Sequence, residues 1–221
     1  MGERRNSRTG LETRDRIIDA VLETVSNEGL VGTSARVIAK TGGFNQALVF
    51  YHFGSVEELL LAALERANER RMSRFREQLE AVNDLHGLVQ VAIELHRSAE
   101  EDRDHMALSA IIAGWSATSE VGPRILKILR PWDDMVASAL QRSLADTPFA
   151  QVVPTDDLAH AISAMFLGIE MLGRLDPDDT RTNSLLLSLS GAANLAVPLL
   201  RSLVPDAAAS DSADTSVDVE G

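Results

Sequence analysis

An all-α fold is predicted, with a small three-helix unit at the N-terminus and a larger helical body behind it. Three observations predict it: every convincing apolar period steps at helical spacing, no strand-like alternation of useful length occurs, and 45% of the 221 residues are apolar, enough to bury a core. The chain contains no cysteine, which excludes a disulfide framework and thiolate metal sites.

Taken in order, Ile17, Ile18, Val21, Leu22 and Val25 form one apolar stripe of a first helix, and Gly29 can supply the left-handed residue that ends it. Thr33-Ser34 offers an N-cap for a short helix, "ARVIAKT", that stops at Gly42-Gly43. "NQALVFYHF" is a second short helix, opened by Asn45 or its neighbour and closed by Gly54. Ser55 and Glu58 then have capping-box spacing at the start of a long helix. Five more helices are predicted, at about 84–100, 103–119, 123–145, 155–175 and 179–203. Pro123 suits a first turn, whereas Pro131 and Pro198 should kink or interrupt their helices. The Ala/Ser/Asp tail after Pro205 lacks aromatics and is predicted to be disordered. The resulting division is an arm and three-helix unit over 1–54, a helical domain over 55–205, and an acidic tail over 206–221.

In the last two predicted helices the spacing changes. Leu158, Ile162, Met165, Ile169 and Leu172, and likewise Leu185, Leu189, Ala192, Ala196, Leu199 and Leu203, alternate steps of four and three. That is a 3.5-residue seam, suited to shallow-angle packing. The seams face either a second subunit, in a four-helix interface, or this chain's own core.

The net charge of −12 and pI of about 4.8 argue at first against nucleic acid. The charge is uneven, however. Residues 1–76 carry twelve Lys/Arg and ten Asp/Glu, whereas residues 77–205 carry nine and eighteen. A basic face can therefore sit at one end of an acidic body. No apolar run follows the basic residues at the start, and no stretch approaches the roughly 20 apolar residues that span a bilayer, so a cytoplasmic protein without a membrane contact is expected.

The stretch "GGFNQALVFYHFGS" (residues 42–55) concentrates Phe44, Phe50, Tyr51 and Phe53 in a chain with only 4% aromatics. Residues 34–53 read as helix, Gly-containing turn, helix, the outline of a helix-turn-helix. Asn45 and Gln46 fall at the N-terminal end of the second helix, where amides can pair with an adenine edge. Tyr51 and His52, farther along, can reach phosphates. The aromatics would hold a helix too short to hold itself.

From "TRDRIIDAVLETVSNEGL" through "FYHFGSVEELLLAALE", about fifty residues, the chain resembles the N-terminal domain of the TetR family of bacterial transcriptional regulators. The signposts are Thr13-Arg14 opening the first helix, Gly29 ending it, Thr33-Ser34, Ile38-Ala39, Gly43 in the turn and the "FYHFGS" entry to a capped helix. The resemblance implies a homodimer, one helix-turn-helix per subunit, and a C-terminal domain that binds a small effector and holds the dimer. Carried over by position, Thr33, Ser34, Tyr51 and His52 match phosphate contacts, and Arg36, Asn45, Gln46 and Ala47 match places that meet bases or the nearby backbone. This chain departs from the family pattern with Gln46 and Val56, where many members carry Lys, and with Phe50, where Tyr is frequent. The phosphate grip would then lean on Arg4, Arg5, Arg8, Arg14 and Arg36.

Enzyme signatures are missing: there is no Gly-x-Ser-x-Gly elbow, no phosphate-binding Gly-rich loop and no His-Glu-x-x-His. Asp156 and His160 share a helix face, but Asp156-Asp157 equally suit the positive end of a helix, and no metal or other cofactor is expected. Arg66, Arg70, Arg71, Arg74 and Arg76 run along the fourth helix, as a solvated face paired with Glu69 and Glu77 or as a lever between domains. For an effector pocket the sequence offers Met106, Trp115, Trp132, Met135, Met165 and Phe166, with His105 and Glu170 as polar candidates, and so a hydrophobic ligand. The expected function is a repressor bound to a palindromic double-stranded DNA operator and released by that ligand. The alternative is a helical carrier of an apolar molecule that does not meet DNA.

Overall fold

A computed structural model describes residues 2–99, 102–115, 120–145, 147, 149–173 and a few helical positions between 181 and 192; the side chains of residues 2–9 are outside the description. Among the described residues the elements are all helices: α1 (Gly2–Glu28), α2 (Ala35–Gly42), α3 (Ala47–Phe53), α4 (Val56–Ala81), α5 (Leu85–Ala99), α6 (Arg103–Trp115), α7 (Gly122–Leu144) and α8 (Thr155–Gly173). The helix predicted at 179–203, its seam, Pro198 and the acidic tail lie largely or wholly outside the described residues.

Two expectations are corrected. α1 begins at Gly2, not near Thr13, so the basic segment expected as an arm continues the helix. Nothing in residues 2–12 stops it: there is no proline, and Glu3, Arg4, Arg5, Arg8 and Glu12 are all good helix formers. α7 runs from Gly122 to Leu144 without a break at Pro131, so the proline does not interrupt the helix. One turn before that proline, the Ile128 carbonyl accepts a hydrogen bond from Asn68 Nδ2 at 2.8 Å, which ties α4 to α7.

Local chemistry sets the boundaries of the short helices. Ser34 is extended, and its hydroxyl accepts the Val37 N–H of α2. Gly43 closes α2 with φ 65°, in the left-handed region that favours glycine. At Gly42 the need is space: a Cβ there would lie 2.2 Å from the Phe44 ring and 2.8 Å from Ala20 Cβ on α1. Ser55 accepts from the Glu58 N–H at 3.1 Å and starts α4, as its capping box predicts.

The core has two parts. One cluster joins Ile17, Val21, Leu22 and Val25 of α1 to Ile38 of α2, Val49 and Phe53 of α3, Leu59 and Leu64 of α4, and Leu108 and Ile111 of α6. The other gathers Phe75 and Leu79 of α4, Val91 and Leu95 of α5, Trp132, Val136 and Leu140 of α7, and Ala159 of α8. α4 belongs to both. The first cluster crosses the division expected at residue 54, so the N-terminal helices and the helical body share one packed interior.

Candidate functional site

The end of the molecule carrying α2 and α3 presents a shallow cleft of about 440 Å³, lined by Arg36, Ala39, Lys40, Gly43, Phe44, Asn45 and Gln46. Arg36 and Lys40 are four residues apart on the exposed side of α2, so two cations flank the start of α3. Lys40 was not singled out from the sequence, although its i+4 relation to Arg36 is legible there. Ser34, Arg36, Asn45, Gln46, Ala47 and Tyr51 are exposed on this end, and His52 is half-buried with its ring edge-on to Tyr51, centroids 5.0 Å apart.

Not every expected contact residue is free for the part. Asn45 Oδ1 accepts the Ala47 N–H at 2.9 Å, so this side chain helps open α3, and a base edge would have to share that oxygen with the helix. Gln46, exposed and with no capping bond, keeps its amide for an external partner. Thr33 donates its hydroxyl to the Gly29 carbonyl at 2.8 Å, which leaves Ser34 the better placed of the two hydroxyls. Arg14 is turned inward: it donates to the His52 carbonyl at 3.0 Å and lies over the Phe53 ring at 4.2 Å. It fastens α3 to α1. The crowded aromatics also divide, because Val49 and Phe53 are one turn apart and bury together, whereas Phe50 is 51% and Tyr51 82% exposed.

Arg66 and Arg70 of α4 are more than a solvated face, whereas Arg74 and Arg76 stay exposed. Arg66 pairs with Asp15 of α1 at 2.6 Å, and Arg70 with Asp19 of α1 at 2.7 Å and Asp104 of α6 at 3.1 Å. Arg74 pairs with Asp102, just before α6. Burial weakens the Arg70 charge, but its hydrogen bonds to Asp19 and Asp104 outweigh that and hold its pKa above the ordinary value. Intrahelical pairing is secondary: Arg66 reaches Glu69 at 3.8 Å, and Arg76 reaches Glu80 at 3.9 Å rather than Glu77.

Arg71 alone of this run turns into the helical body. It lines a cavity of about 310 Å³ between α4, α6, α7 and α8, whose walls include Leu108, Ile112, Trp115, Leu129, Trp132 and Phe166. Of the residues expected for a pocket, His105, Trp115, Trp132 and Phe166 line this cavity. Met106, Met135, Met165 and Glu170 do not. Met135 packs against the second core cluster, and Met165 is 48% exposed on the outer side of α8. Glu170 lies behind the wall, its Oε1 2.6 Å from His96 Nδ1 and its Oε2 3.5 Å from His105 Nε2. Burial pushes its carboxyl up, and the two histidines pull it down by more, leaving it below the ordinary carboxylate range.

Sequence reasoning missed Arg71, Asp133, His160 and Ser163 on the cavity wall. Burial pushes the Arg71 guanidinium down to about 10, with the charges of Asp133 and Asp102 opposing the fall, so it stays charged at neutral pH. His160 Nδ1 meets Asp133 Oδ2 at 3.0 Å instead of joining Asp156. Among the described residues no group of His, Cys, Asp and Glu has the arrangement to hold a metal ion. Nor, among them, is any single helix long and apolar enough to cross a membrane.

Residues 17–63 match the family of bacterial regulatory proteins named for tetR. The chain is 31% identical over 87 residues to the HTH-type transcriptional regulator UidR of Escherichia coli (strain K12), covering 39% of this chain and 44% of UidR. It therefore spans less than half the length of that relative. The whole fold resembles a TetR-family transcriptional regulator from Rhodococcus sp., with TM-score 0.68, 21% identity, and coverage of 84% of this chain and 99% of that one. It also resembles the regulator FadR from Bacillus subtilis in complex with stearoyl-CoA, with TM-score 0.63, 16% identity, and coverage of 86% and 98%. The helix-turn-helix built on α2 and α3 thus lies within the segment, residues 17–63, that matches the tetR family of bacterial regulatory proteins, and the fold behind it is similar to that of TetR-family structures.

Proposed function

We propose that the protein is a homodimeric repressor whose α3 helices enter adjacent major grooves of a palindromic operator, and whose cavity takes a small, largely apolar effector that releases it. The observation that carries this reading is the exposed start of α3, where Gln46 and Ala47 stand beside a cleft bearing Arg36 and Lys40. Gln46 reads base edges, while Arg36, Lys40, Ser34, Tyr51 and His52 hold the backbone. The chain divides at about residue 54 into a DNA-binding unit and an effector and dimerisation body.

A dimer is supported by α8, whose seam residues Leu158, Met165 and Leu172 are exposed on the single chain. Two recognition helices so joined need half-sites about 34–36 Å apart, or a multiple of that. An effector that favours another separation weakens binding by the typical coupling of about 1–3 kcal/mol. α4 is the element suited to transmit it, since Arg70 fastens it to α1 while the adjacent Arg71 faces the cavity.

Selection of random duplex DNA by fluorescence anisotropy at two salt concentrations tests the reading. A palindrome should be enriched, with affinity falling steeply as salt rises. No enrichment by folded, dimeric protein would favour the carrier, which the apolar cavity alone would serve. Gln46→Ala should shift preference at one position of each half-site by about 1–3 kcal/mol with the dimer intact. Loss of the dimer instead would mean that Gln46 is not on the reading face. Arg70→Ala should cost stability only about 0–1 kcal/mol, because its pairs are partly exposed, yet change operator affinity measurably. Urea titration and anisotropy on the same variant separate the two effects.

A further inference from the structure

The polar groups around the cavity fall into two sets. The nearby carboxylates already hold histidines, Asp133 beside His160 and Glu170 beside His96 and His105. The groups on the wall without a partner are Arg71 Nε, Ser163 Oγ and His105 Nδ1, all shut off from solvent, while His105 Nε2 faces Glu170 Oε2 at 3.5 Å. Among the described residues Arg71 gives one hydrogen bond, from Nη2 to Asn68 Oδ1 at 2.9 Å, and takes part in none of the ion pairs made by Arg66, Arg70, Arg74 and Arg76. A guanidinium can only donate, and a buried donor without an acceptor is costly. What this wall lacks is therefore an acceptor, and a negative one suits it best. A ligand cation is disfavoured on a separate ground: the Trp132 face is already occupied by the Arg71 guanidinium, its Cζ 4.2 Å from the ring centroid.

We propose that the cavity binds an amphiphile with a single anionic head, a carboxylate being the simplest, which takes Arg71 as its counter-ion and lays its apolar body against Leu108, Ile112 and Phe166. This rests on reading the cavity as the effector site. At about 310 Å³ the cavity is near the lower end of small-molecule sites, so the body is a medium-length chain or one ring system. Ser163 and His105 offer the head further hydrogen bonds.

The chain has two tryptophans, Trp115 and Trp132, and both line the cavity, so intrinsic fluorescence reports its occupancy. The full-length protein is titrated near neutral pH with decanoate, methyl decanoate and decyltrimethylammonium, each below its micellar concentration. Decanoate should bind about tenfold or more tighter than its ester, with the cation weakest. Arg71→Gln should bring acid and ester together, and Arg71→Lys should keep part of the preference. If Arg71→Gln fails to fold, the wild-type comparison and Arg71→Lys still decide. An ester that binds the wild type as tightly as the acid overturns the anionic head but leaves an apolar ligand site standing. If none of the three probes changes the fluorescence or melting temperature, the reading of the cavity as the effector site falls as well.

Discussion

Replacing Phe75 by alanine is expected to lower unfolding free energy by about 3–5 kcal/mol, the usual cost of emptying an aromatic site in a closed core. Phe75 is 2% exposed and meets Trp132 edge to face, centroids 6.4 Å apart, at the centre of the second cluster. The same indole carries Arg71, its Cζ 4.2 Å from the ring centroid, so removing the phenyl ring should let Trp132 shift and disturb the cavity wall with it. Urea titration followed by tryptophan fluorescence measures both consequences. The midpoint should drop with an unchanged m-value, and the native emission should shift before unfolding begins. A loss below about 1 kcal/mol would mean that α4 and α7 close over the gap and that this contact is not a core contact.

The second large effect is expected at Gly42. A valine there meets the Phe44 ring, which can turn aside, and Ala20 Cβ, which cannot move without α1 moving. Overpacking of this kind costs about 1–3 kcal/mol. If α3 reads half-sites as proposed, the functional loss should be larger than the stability loss, because separating α2 from α1 tilts α3. Gly42→Val should therefore retain helical circular dichroism and a cooperative melt while losing operator binding by about tenfold or more. A variant that binds normally would show that the α1–α2 approach does not set the recognition angle.

Much of this was legible in the sequence, because helix periodicity, caps and glycines are local signals. Ser34, Gly43 and Ser55 do what their positions predict. What sequence could not assign was the direction in which a side chain of known chemistry points. The α4 arginines looked like one set, yet successive helix residues are about 100° apart, which sends Arg70 to α1 and α6 and Arg71 to the cavity. The methionines offered for the pocket were chosen for being soft and apolar, and α7 and α8 turn Met135 and Met165 elsewhere. Asn45 is the subtler case. An amide at the start of a helix suits both capping and base reading, and the 2.9 Å bond to Ala47 shows the first of these in the free chain.

The apolar cluster that runs from α1 into α6 bears on modularity. Leu30, just past the end of α1, lies on Gly114 of α6 so closely that a Cβ at Gly114 would come within 2.1 Å of its Cδ2. Ile111 and Leu108 continue the same surface. A fragment cut after residue 54 would leave the inner side of Ile17, Val21 and Val25 without the α4 and α6 residues that cover it. The unit formed by α1 to α3 is thus no detachable bead on a string: a chimaera that transplants it to another body must bring along a host helix with a matching hollow, or rebuild the seat for Leu30.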